Sequence, residues 1–299
     1  MKPEEKIIHQ KVQEARSHYL DQNYQKAIEN YTVAMKLLDE KSEDMLIIKI
    51  ELGWSYYYNK EYGKAIQHLK DALQFEDINE QQKFDCLRII GFSYEMLKNH
   101  REAQKALQNA LSVNVPEESK RYTYFELGKI LFTEGQIIEA EHYFQLAQPL
   151  FKEDEQAYRL ALEYYLGFSA FYQKKFDLAK RHFEKILGES KDAKMRASGF
   201  FGLAHLFYKN KDYSLLIDTC EKILRLDPTF FDKETLGYFM CSAYLHLKMW
   251  DELEMFFNEL ESNYPKGRYA SEYPKFREAL KKRGAIKKEK VNNKSSESK

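Results

Sequence analysis

Hydrophobic and polar positions along this chain follow the spacing of amphipathic helices. Residues 51–73, "ELGWSYYYNKEYGKAIQHLKDAL", contain two short helical patterns in succession. Only 12 glycines and 6 prolines interrupt the 299 residues, so long stretches of strand and turn are not expected. The pattern predicts a chain in which helices dominate.

A repeat emerges when the small and bulky positions are aligned. In residues 51–73 its slots are Gly53, Tyr56, Ala65, Leu69 and Ala72. The same spacing returns at Gly91, Tyr94, Ala103, Leu107 and Ala110, at Gly128, Leu131, Ala140, Phe144 and Ala147, and at Gly167, Ala170, Ala179, Phe183 and Ile186. Weaker copies are Ala15, His18, Ala27, Tyr31 and Ala34, then Ala204, Phe207, Leu216, Cys220 and Ile223, then Cys241, Tyr244, Leu253, Phe257 and Leu260. Successive first slots lie 38, 38, 37, 39, 37 and 37 residues apart, which makes seven copies of one unit.

The slot pattern resembles that of the tetratricopeptide repeat (TPR), a helix–turn–helix unit. The stretches "ELGWSYYYNKEYGKAIQHLKDAL" and "ELGKILFTEGQIIEAEHYFQLA" match it closely, and the resemblance covers roughly residues 5–265. It implies an all-α fold, a right-handed α-solenoid of about seven TPR-like repeats. One difference is the period, which exceeds that of the usual unit by about three to five residues. The extra residues fall between units, so the superhelical pitch is left open.

The C-terminal part of the chain departs from the repeat. We expect residues 1–265 to form the solenoid and residues 266–284 to hold a capping helix over 271–283, with Pro274 in its first turn and Gly284 as its stop. Residues 285–299 have almost nothing to bury and are predicted to be a disordered basic tail. Residues 281–299 carry eight Lys or Arg against two Glu, although the whole chain is balanced at 47 of each sign.

A second apolar face accompanies the packing slots of the first helices. Trp54, Tyr57 and Tyr58 stand at i, i+3 and i+4, rotated away from the stripe of Leu52, Gly53 and Tyr56. The same face recurs at Phe92 and Met96, at Phe125 and Phe132, at Tyr164, Phe168, Phe171 and Tyr172, at Phe201 and Tyr208, and at Tyr238 and Leu245. In the family that the sequence resembles, first helices line the concave side where peptides or partner helices dock. The resemblance therefore implies one partner-binding groove of aromatic side chains.

Two structural interpretations of this face remain open. The aromatics either pack against neighbouring first helices, as large residues usually do, or stay open for a partner, because large exposed apolar patches generally bind something. Some relatives hold a C-terminal carboxylate with a lysine and asparagine clamp, but the corresponding positions here are Val12, Arg16, Ile50, Trp54, Arg88 and Phe92. An apolar extended or helical segment fits better than a charged tail. Arg16, Arg88, Lys129 and Lys209 either pair with acidic residues of that segment or form a solvated rim.

The sequence lacks the motifs of common catalytic, metal-binding and nucleotide-binding sites. HExxH, P-loop, GxSxG and GxGxxG are all absent, and the eight histidines are scattered. We predict no catalytic site, no cofactor and no metal site. Cys86, Cys220 and Cys241 lack metal-ligand spacing and are expected to be buried thiols. The first twenty residues are too charged for a signal peptide, which predicts a cytoplasmic protein.

The functional prediction is a protein–protein interaction scaffold or adaptor that binds a peptide or helical segment of another protein in the aromatic groove. No small-molecule substrate is expected, and the charge balance argues against nucleic acid and membrane as partners. The alternative is a regulatory, nucleic-acid-associated or membrane-associated protein that acts through its basic C-terminal tail.

Overall fold

The structure is a computed structural model that describes residues 3–39 and 42–283. The chain divides into two compact units, Met1–Glu155 and Gln156–Lys299. The helices of the first unit are α1 (Pro3–Leu20), α2 (Tyr24–Lys36), α3 (Glu43–Tyr58), α4 (Tyr62–Ala72), α5 (Glu80–Met96), α6 (His100–Leu111), α7 (Arg121–Thr133) and α8 (Ile137–Ala147). Those of the second are α9 (Gln156–Tyr172), α10 (Phe176–Glu189), α11 (Ala193–Asn210), α12 (Tyr213–Leu226), α13 (Lys233–Leu247), α14 (Trp250–Asn263) and α15 (residues 273–283).

Helices α1 to α14 form seven consecutive pairs, in each of which an odd-numbered first helix packs against the even-numbered second helix that follows it. Each second helix also packs on the first helix of the next pair, within the first unit and again within the second. Outside these helices the described residues form short 3₁₀ helices, turns and irregular segments, and none of them lies in a strand. The prediction of an all-α solenoid of helix pairs is confirmed.

The repeat slots form the interior of each unit. The small slots of the second helices, Ala27, Ala65, Ala103, Ala140 and Ala179, are all 0% exposed. The glycine at the first slot meets the bulky residue of its own pair: a Cβ on Gly53 would lie 2.5 Å from Cγ of Leu69, and one on Gly128 would lie 2.6 Å from Cε1 of Phe144. The two helices of each of these pairs approach so closely because the glycine lacks a side chain.

The turn inside each pair carries a second, independent sign of the repeat. A residue with positive φ follows each first helix, at Gln22, Lys60, Lys98, Gly135, Lys174, Lys211 and Lys248. The next backbone N–H then donates back to the carbonyl five residues earlier, as Glu61 does to Tyr56 at 2.9 Å and Lys175 does to Ala170 at 2.8 Å. This is the hydrogen bond of a left-handed helix C-cap. The positive-φ residues are spaced as the first slots are, so packing and turn repeat in register.

Side-chain caps define several helix starts. Ser42 accepts from the backbone N–H of Met45 at the start of α3, and Asn79 and Gln82 form a reciprocal capping box at the start of α5. Each cap satisfies backbone donors that the first turn leaves without a partner. These caps lie in the connections between pairs, where the long period places its additional residues.

The end of the second unit packs on the last helix pair. Residues 273–283 are helical, and the buried rings of Tyr273 and Phe276 lie 5.6 and 5.4 Å from the ring of Phe257 on α14. Gly284 and the predicted tail at 285–299 lie outside the described residues. Among the described helices, none combines the length and the hydropathy needed to cross a bilayer.

Candidate functional site

The side chains predicted to line a groove have three degrees of exposure. Phe125, Phe168, Phe201 and Tyr238 are buried, at 4 to 8% exposure. Trp54, Tyr57, Phe92, Phe132, Tyr164, Phe171 and Tyr208 are partly buried. Tyr58, Met96 and Tyr172 are exposed, at 43%, 46% and 56%. The second face of the first helices thus contributes to the interior and to the surface at once.

In the first unit, the exposed ring of Tyr58 is the centre of an aromatic cluster, which we name the Tyr58 cluster. Tyr58 stacks on Tyr24 of α2 at 5.3 Å between ring centroids, and it meets Tyr19 of α1 edge-on at 5.8 Å. Tyr57 and Trp54 complete the cluster at 5.2 and 6.5 Å from Tyr58. Burial raises the pKa of Tyr57 to about 12, so its hydroxyl remains protonated at neutral pH. The cluster displays aromatic surface from three helices.

Trp54 carries a cation on one side of its ring. The Arg88 guanidinium of α5 lies 5.2 Å from the Trp54 ring centroid and also pairs with Asp85 at 2.8 Å. The Trp54 Nε1 and the Arg88 Nε are both buried and have no hydrogen-bond acceptor within the described residues. Arg88 thus ties α5 to the Trp54 ring and is already paired within the chain.

A cavity of about 390 Å³ opens beside the Tyr58 cluster, and we name it the apolar cavity. Its lining comes from α1, α2 and α3, namely Arg16, Tyr19, Leu20, Tyr31, Ile50, Glu51 and Trp54. Leu20 stands at its mouth with 80% of its surface exposed. The cavity lies at the lower end of the volumes that proteins use to enclose ligand groups.

A second cavity, of about 400 Å³, adjoins the first, and we name it the acidic cavity. It is lined by Glu5, Ile8, His9, Val12, Gln13, Arg16, Leu38, Asp44, Ile47 and Ile48. Arg16 belongs to both linings and forms the boundary between them. Its guanidinium donates to Glu51, with Nε 3.0 Å from Oε1 and Nη2 2.8 Å from Oε1. The two cavities together form the α1/α3 cleft.

On α7, the predicted aromatic face is covered by neighbouring side chains. Phe125 packs on Phe144 and Phe151, at 6.3 and 6.2 Å between ring centroids. Lys129 lies over the Phe125 ring at 5.5 Å and pairs with Glu126 at 2.7 Å. Burial raises the pKa of Glu126, which Lys129 opposes. Of these side chains, none extends freely from the surface.

In the second unit, Phe168 is the centre of a buried aromatic cluster. Its ring lies 4.8 Å from Tyr164, 5.0 Å from Phe183 and 6.0 Å from Phe201. At the surface this cluster ends in Tyr172, 6.3 Å from Phe168, and in Phe231, 5.7 Å from Phe201 and 69% exposed. Phe168 and Phe201 are thus interior residues, and Tyr172 and Phe231 are the side chains that a partner could contact.

His205 lies inside this cluster, and its ring is 4.5 Å from Phe201 and 5.1 Å from Phe168. Its Nδ1 is 2.9 Å from the carbonyl oxygen of Phe201, an acceptor, so Nδ1 carries the proton and donates. Burial lowers the pKa of His205 and keeps the ring neutral at pH 7. Its Nε2 is therefore a hydrogen-bond acceptor among aromatic rings.

A polar network borders the second unit's aromatic residues on the side of α13. Arg268 pairs with Asp232 at 2.7 Å and with Glu234 at 3.5 Å, and Tyr269 stacks on Tyr238 at 4.1 Å. The hydroxyls of Tyr208 and Tyr238 are 2.9 Å apart. These contacts order the residues after α14 against α13.

The four cations proposed as rim residues are all occupied within the chain. Arg16 pairs with Glu51, Arg88 with Asp85 and Lys129 with Glu126. The Lys209 ammonium lies 3.6 Å from the centroid of the Phe176 ring. An acidic partner would therefore have to share or displace an existing interaction at each of them.

Several site residues escaped the sequence analysis although the repeat register could have found some. Tyr19 stands in the first, weak copy at the position that Tyr57 holds in the second. His205 follows the first slot of its copy, as Trp54, Phe92 and Phe168 follow theirs. Leu20 stands one repeat before Tyr58, at the position that Met96 and Tyr172 also hold in their copies. Phe231 lies in the connection before α13, where no periodic pattern marks it. The three cysteines are buried and free, as predicted.

Comparisons with known proteins agree with this architecture. Residues 6–152 match the sequence model of the SusR N-terminal TPR domain. The apo form of RapI is similar in structure, with a TM-score of 0.65 at 13% identity over 89% of this chain and 79% of that one. The C-terminal part of a TPR repeat-containing protein from Cytophaga hutchinsonii gives 0.59 at 16% identity, over 87% of this chain and 97% of the other.

Pseudomonas aeruginosa pilF gives a TM-score of 0.58 at 15% identity, over 79% of this chain and 99% of its own. No curated protein sequence matches the chain significantly. At these identities the structural likenesses establish the fold alone.

Proposed function

Because the chain belongs to the tetratricopeptide repeat family, we propose that it is a scaffold or adaptor that binds a peptide or an amphipathic helix of another protein on its first helices. The fold of this family is generally a non-catalytic frame for protein–protein contacts. Binding would use the side chains that the first helices leave exposed, not those they bury.

One observation carries the proposal: an aromatic surface adjoins an open cavity on the same helices. The Tyr58 cluster lies next to the apolar cavity, and Trp54 belongs to both. Exposed tyrosine and tryptophan concentrate binding energy at protein interfaces, where single anchors often contribute about 2 kcal/mol or more. A cavity beside such a surface provides the pocket in which a partner's side chain is enclosed.

The second unit supports the same function with a smaller surface. Tyr172 and Phe231 are exposed over a buried aromatic layer that holds their backbones in place. Rigid aromatic side chains lose little conformational entropy when they bind. This unit therefore has the features of an additional contact surface for the same partner or for another one.

The proposal is tested by affinity capture from an extract of the source cells, with captured proteins quantified for each variant. Tyr58→Ala with Tyr172→Ala removes exposed rings from both units, and we expect captured partner to fall about tenfold or more. The matched control is Ile138→Ala with Met255→Ala, which removes side chains that are 71% and 60% exposed on second helices. Equal capture by the two double variants would contradict binding through the first helices.

The same experiment addresses the basic tail. A chain that ends at Gly284 keeps every described helix and lacks residues 285–299. We expect this truncation to capture the partner as the full chain does. Loss of capture on truncation, with the Tyr58 and Tyr172 variant unaffected, would instead assign the function to the tail.

A further inference from the structure

His205 lies where three first helices of the second unit meet. Its ring contacts Phe168 and Phe171 of α9, at 5.1 and 5.8 Å between ring centroids. It also contacts Phe201 of its own helix α11 at 4.5 Å and Phe239 of α13 at 5.0 Å. All four rings meet the imidazole edge-on, at interplanar angles of 78 to 88°. The imidazole therefore joins α9, α11 and α13 in one aromatic layer.

The neutral form of His205 fits these surroundings. Nδ1 donates to the carbonyl oxygen of Phe201 at 2.9 Å, which leaves Nε2 as an acceptor. The side chain is partly buried, and this burial lowers the pKa of His205. Protonation would add a full charge to a ring whose nearest neighbours are hydrocarbon. A charge with reduced hydration destabilises the folded state.

The charged groups that act on His205 oppose each other. Asp232, before α13, raises the pKa of His205, and Arg268, after α14, lowers it. These two groups form an ion pair with each other at 2.7 Å, so neither provides a free counterion for an imidazolium. On α11, the Lys209 ammonium follows His205 by one helical turn and lies over the Phe176 ring of α10 at 3.6 Å.

The other titratable groups of the layer are tyrosines. Burial raises the pKa of each of them, so their hydroxyls are uncharged between pH 5 and pH 7; they are Tyr164 and Tyr172 of α9 and Tyr238 of α13. Between these pH values, His205 is therefore the group of the layer whose charge changes.

The exposed aromatic residues of the second unit rest on the same layer. Tyr172 lies 6.3 Å from Phe168, and Phe231 lies 5.7 Å from Phe201. Phe168 and Phe201 both contact the His205 ring. A change at His205 is thus one contact away from the surface that this unit displays.

We propose that His205 is an acid-sensitive joint of the second unit: its protonation loosens the aromatic layer between α9, α11 and α13, together with the surface of Tyr172 and Phe231. A histidine whose pKa is lowered by folding contributes fully to stability above its unfolded pKa, about 6.5. That contribution is lost as pH falls from this value towards the folded pKa, because the unfolded chain takes up the proton more readily. The proposal concerns regulation and does not depend on partner binding.

Two variants remove the titrating group, and a third is the matched control. His205→Phe keeps an aromatic ring in the layer, and His205→Gln keeps a donor for the Phe201 carbonyl. His246→Phe is the control, because Nδ1 of His246 also donates to the carbonyl four residues earlier, that of Ser242, at 2.7 Å. The His246 side chain is exposed, however, and its ring stacks on Tyr213 at 4.3 Å.

Urea unfolding of the full chain at pH 7 and pH 5, followed by circular dichroism, gives the unfolding equilibrium constant. From pH 7 to pH 5 this constant should rise about threefold or more further in the wild type than in His205→Phe or His205→Gln. The unfolded pKa limits the difference to about thirtyfold. His246→Phe should follow the wild type. An equal rise in the wild type and the His205 variants would overturn the proposal, and so would a smaller rise in the wild type, which would mean that the rings stabilise the imidazolium.

Hydrogen exchange of the wild-type chain locates the effect without any substitution. Mass spectrometry gives protection factors at pH 7 and pH 5, corrected for the intrinsic pH dependence of exchange. Protection of α9, α11 and α13 should fall about threefold or more relative to α3 and α5 of the first unit, and peptides that contain Tyr172 or Phe231 report the exposed surface itself. An equal change in both units, or unchanged protection in the second, would overturn the proposal and leave the scaffold function standing.

Discussion

The ring of Phe183 on α10 packs against the backbone of Gly167 on α9, so closely that a Cβ on Gly167 would lie 2.5 Å from Cε1 of that ring. Equivalent contacts join Gly53 to Leu69 and Gly91 to Leu107 in the first unit. The glycine of the repeat is therefore matched to one particular side chain of its own helix pair. This contact sets how near the two helices approach.

Gly167→Ala should destabilise the fold by about 1 to 3 kcal/mol, because the new methyl group displaces a buried aromatic ring. Urea unfolding followed by circular dichroism measures the change. Gly188→Ala is the matched control, since a Cβ at Gly188 meets nothing within 4 Å. It should stabilise α10 by up to about 1 kcal/mol. Destabilisation of both variants to the same extent would refute the steric explanation.

Replacement of a positive-φ turn residue by glycine should increase the stability of the fold. Lys174 has a φ of 63°, a conformation in which a side chain costs about 1 to 2 kcal/mol. Lys174→Gly should raise the free energy of unfolding by about 0.5 to 1 kcal/mol, after the added flexibility of the unfolded chain is subtracted. Lys180→Gly, inside α10, should lower it by about 1 kcal/mol. If both substitutions destabilise, the left-handed turn does not strain the lysine as described.

Glu163 predicts a pH dependence of stability. Burial by itself raises the pKa of this carboxyl, but hydrogen bonds from His182 at 2.6 Å and Lys185 at 2.7 Å outweigh it, so the pKa in the folded chain is lowered. A carboxyl whose pKa is lower in the folded state stabilises it above the unfolded pKa, near about 4.3. That contribution is lost as pH falls through the folded pKa.

Glu163→Gln should therefore cost about 1 to 3 kcal/mol at pH 7, and the deficit should shrink below about pH 4. Denaturant unfolding at both pH values gives the comparison. Glu184→Gln, at an exposed position of α10 whose pair with Lys180 is 3.7 Å long, should have almost no effect at either pH. A deficit for Glu163→Gln that stays constant from pH 7 to pH 3 would show that its charge contributes nothing.

Substitution of a buried and of an exposed aromatic residue in the second unit should separate effects on stability from effects on partner binding. Phe168→Ala should cost about 3 to 5 kcal/mol, because Phe168 is 4% exposed and contacts rings from neighbouring helices. Tyr172→Ala should change stability by less than about 1 kcal/mol and weaken partner binding, since 56% of Tyr172 is exposed. Thermal unfolding and affinity capture of the partner measure the two effects. Undiminished capture by Tyr172→Ala would remove the second unit from the binding surface.

The sequence alone predicted the fold because its repeat slots encode contacts within a helix pair. Ala65 and Leu69 are small and bulky where the structure needs them, and both are wholly buried. The turns were less visible: five of the seven positive-φ positions hold lysine, which gives no local signal for that conformation.

The periodicity also placed Trp54 and Phe168 on the second apolar face of the first helices. It could not predict that Phe168 is interior and that Tyr58 is exposed. Exposure depends on which neighbouring helix lies over a face, and that is a property of packing between pairs. The α1/α3 cleft could not be foreseen for the same reason. Its lining comes from α1, α3 and residues of and after α2, and Arg16, which both cavities share, is held by Glu51 of α3.

The most direct test of the account is the emission of Trp54 while a fluorescein-labelled peptide from the captured partner binds. The chain has two tryptophans, so Trp250→Phe leaves Trp54 as the single reporter. Trp54 lines the apolar cavity, and its indole should change environment when a side chain enters. We predict a saturable shift or quench of its emission with the same midpoint as fluorescence anisotropy. A peptide that binds by anisotropy while Trp54 emission stays constant would contradict the first-helix site.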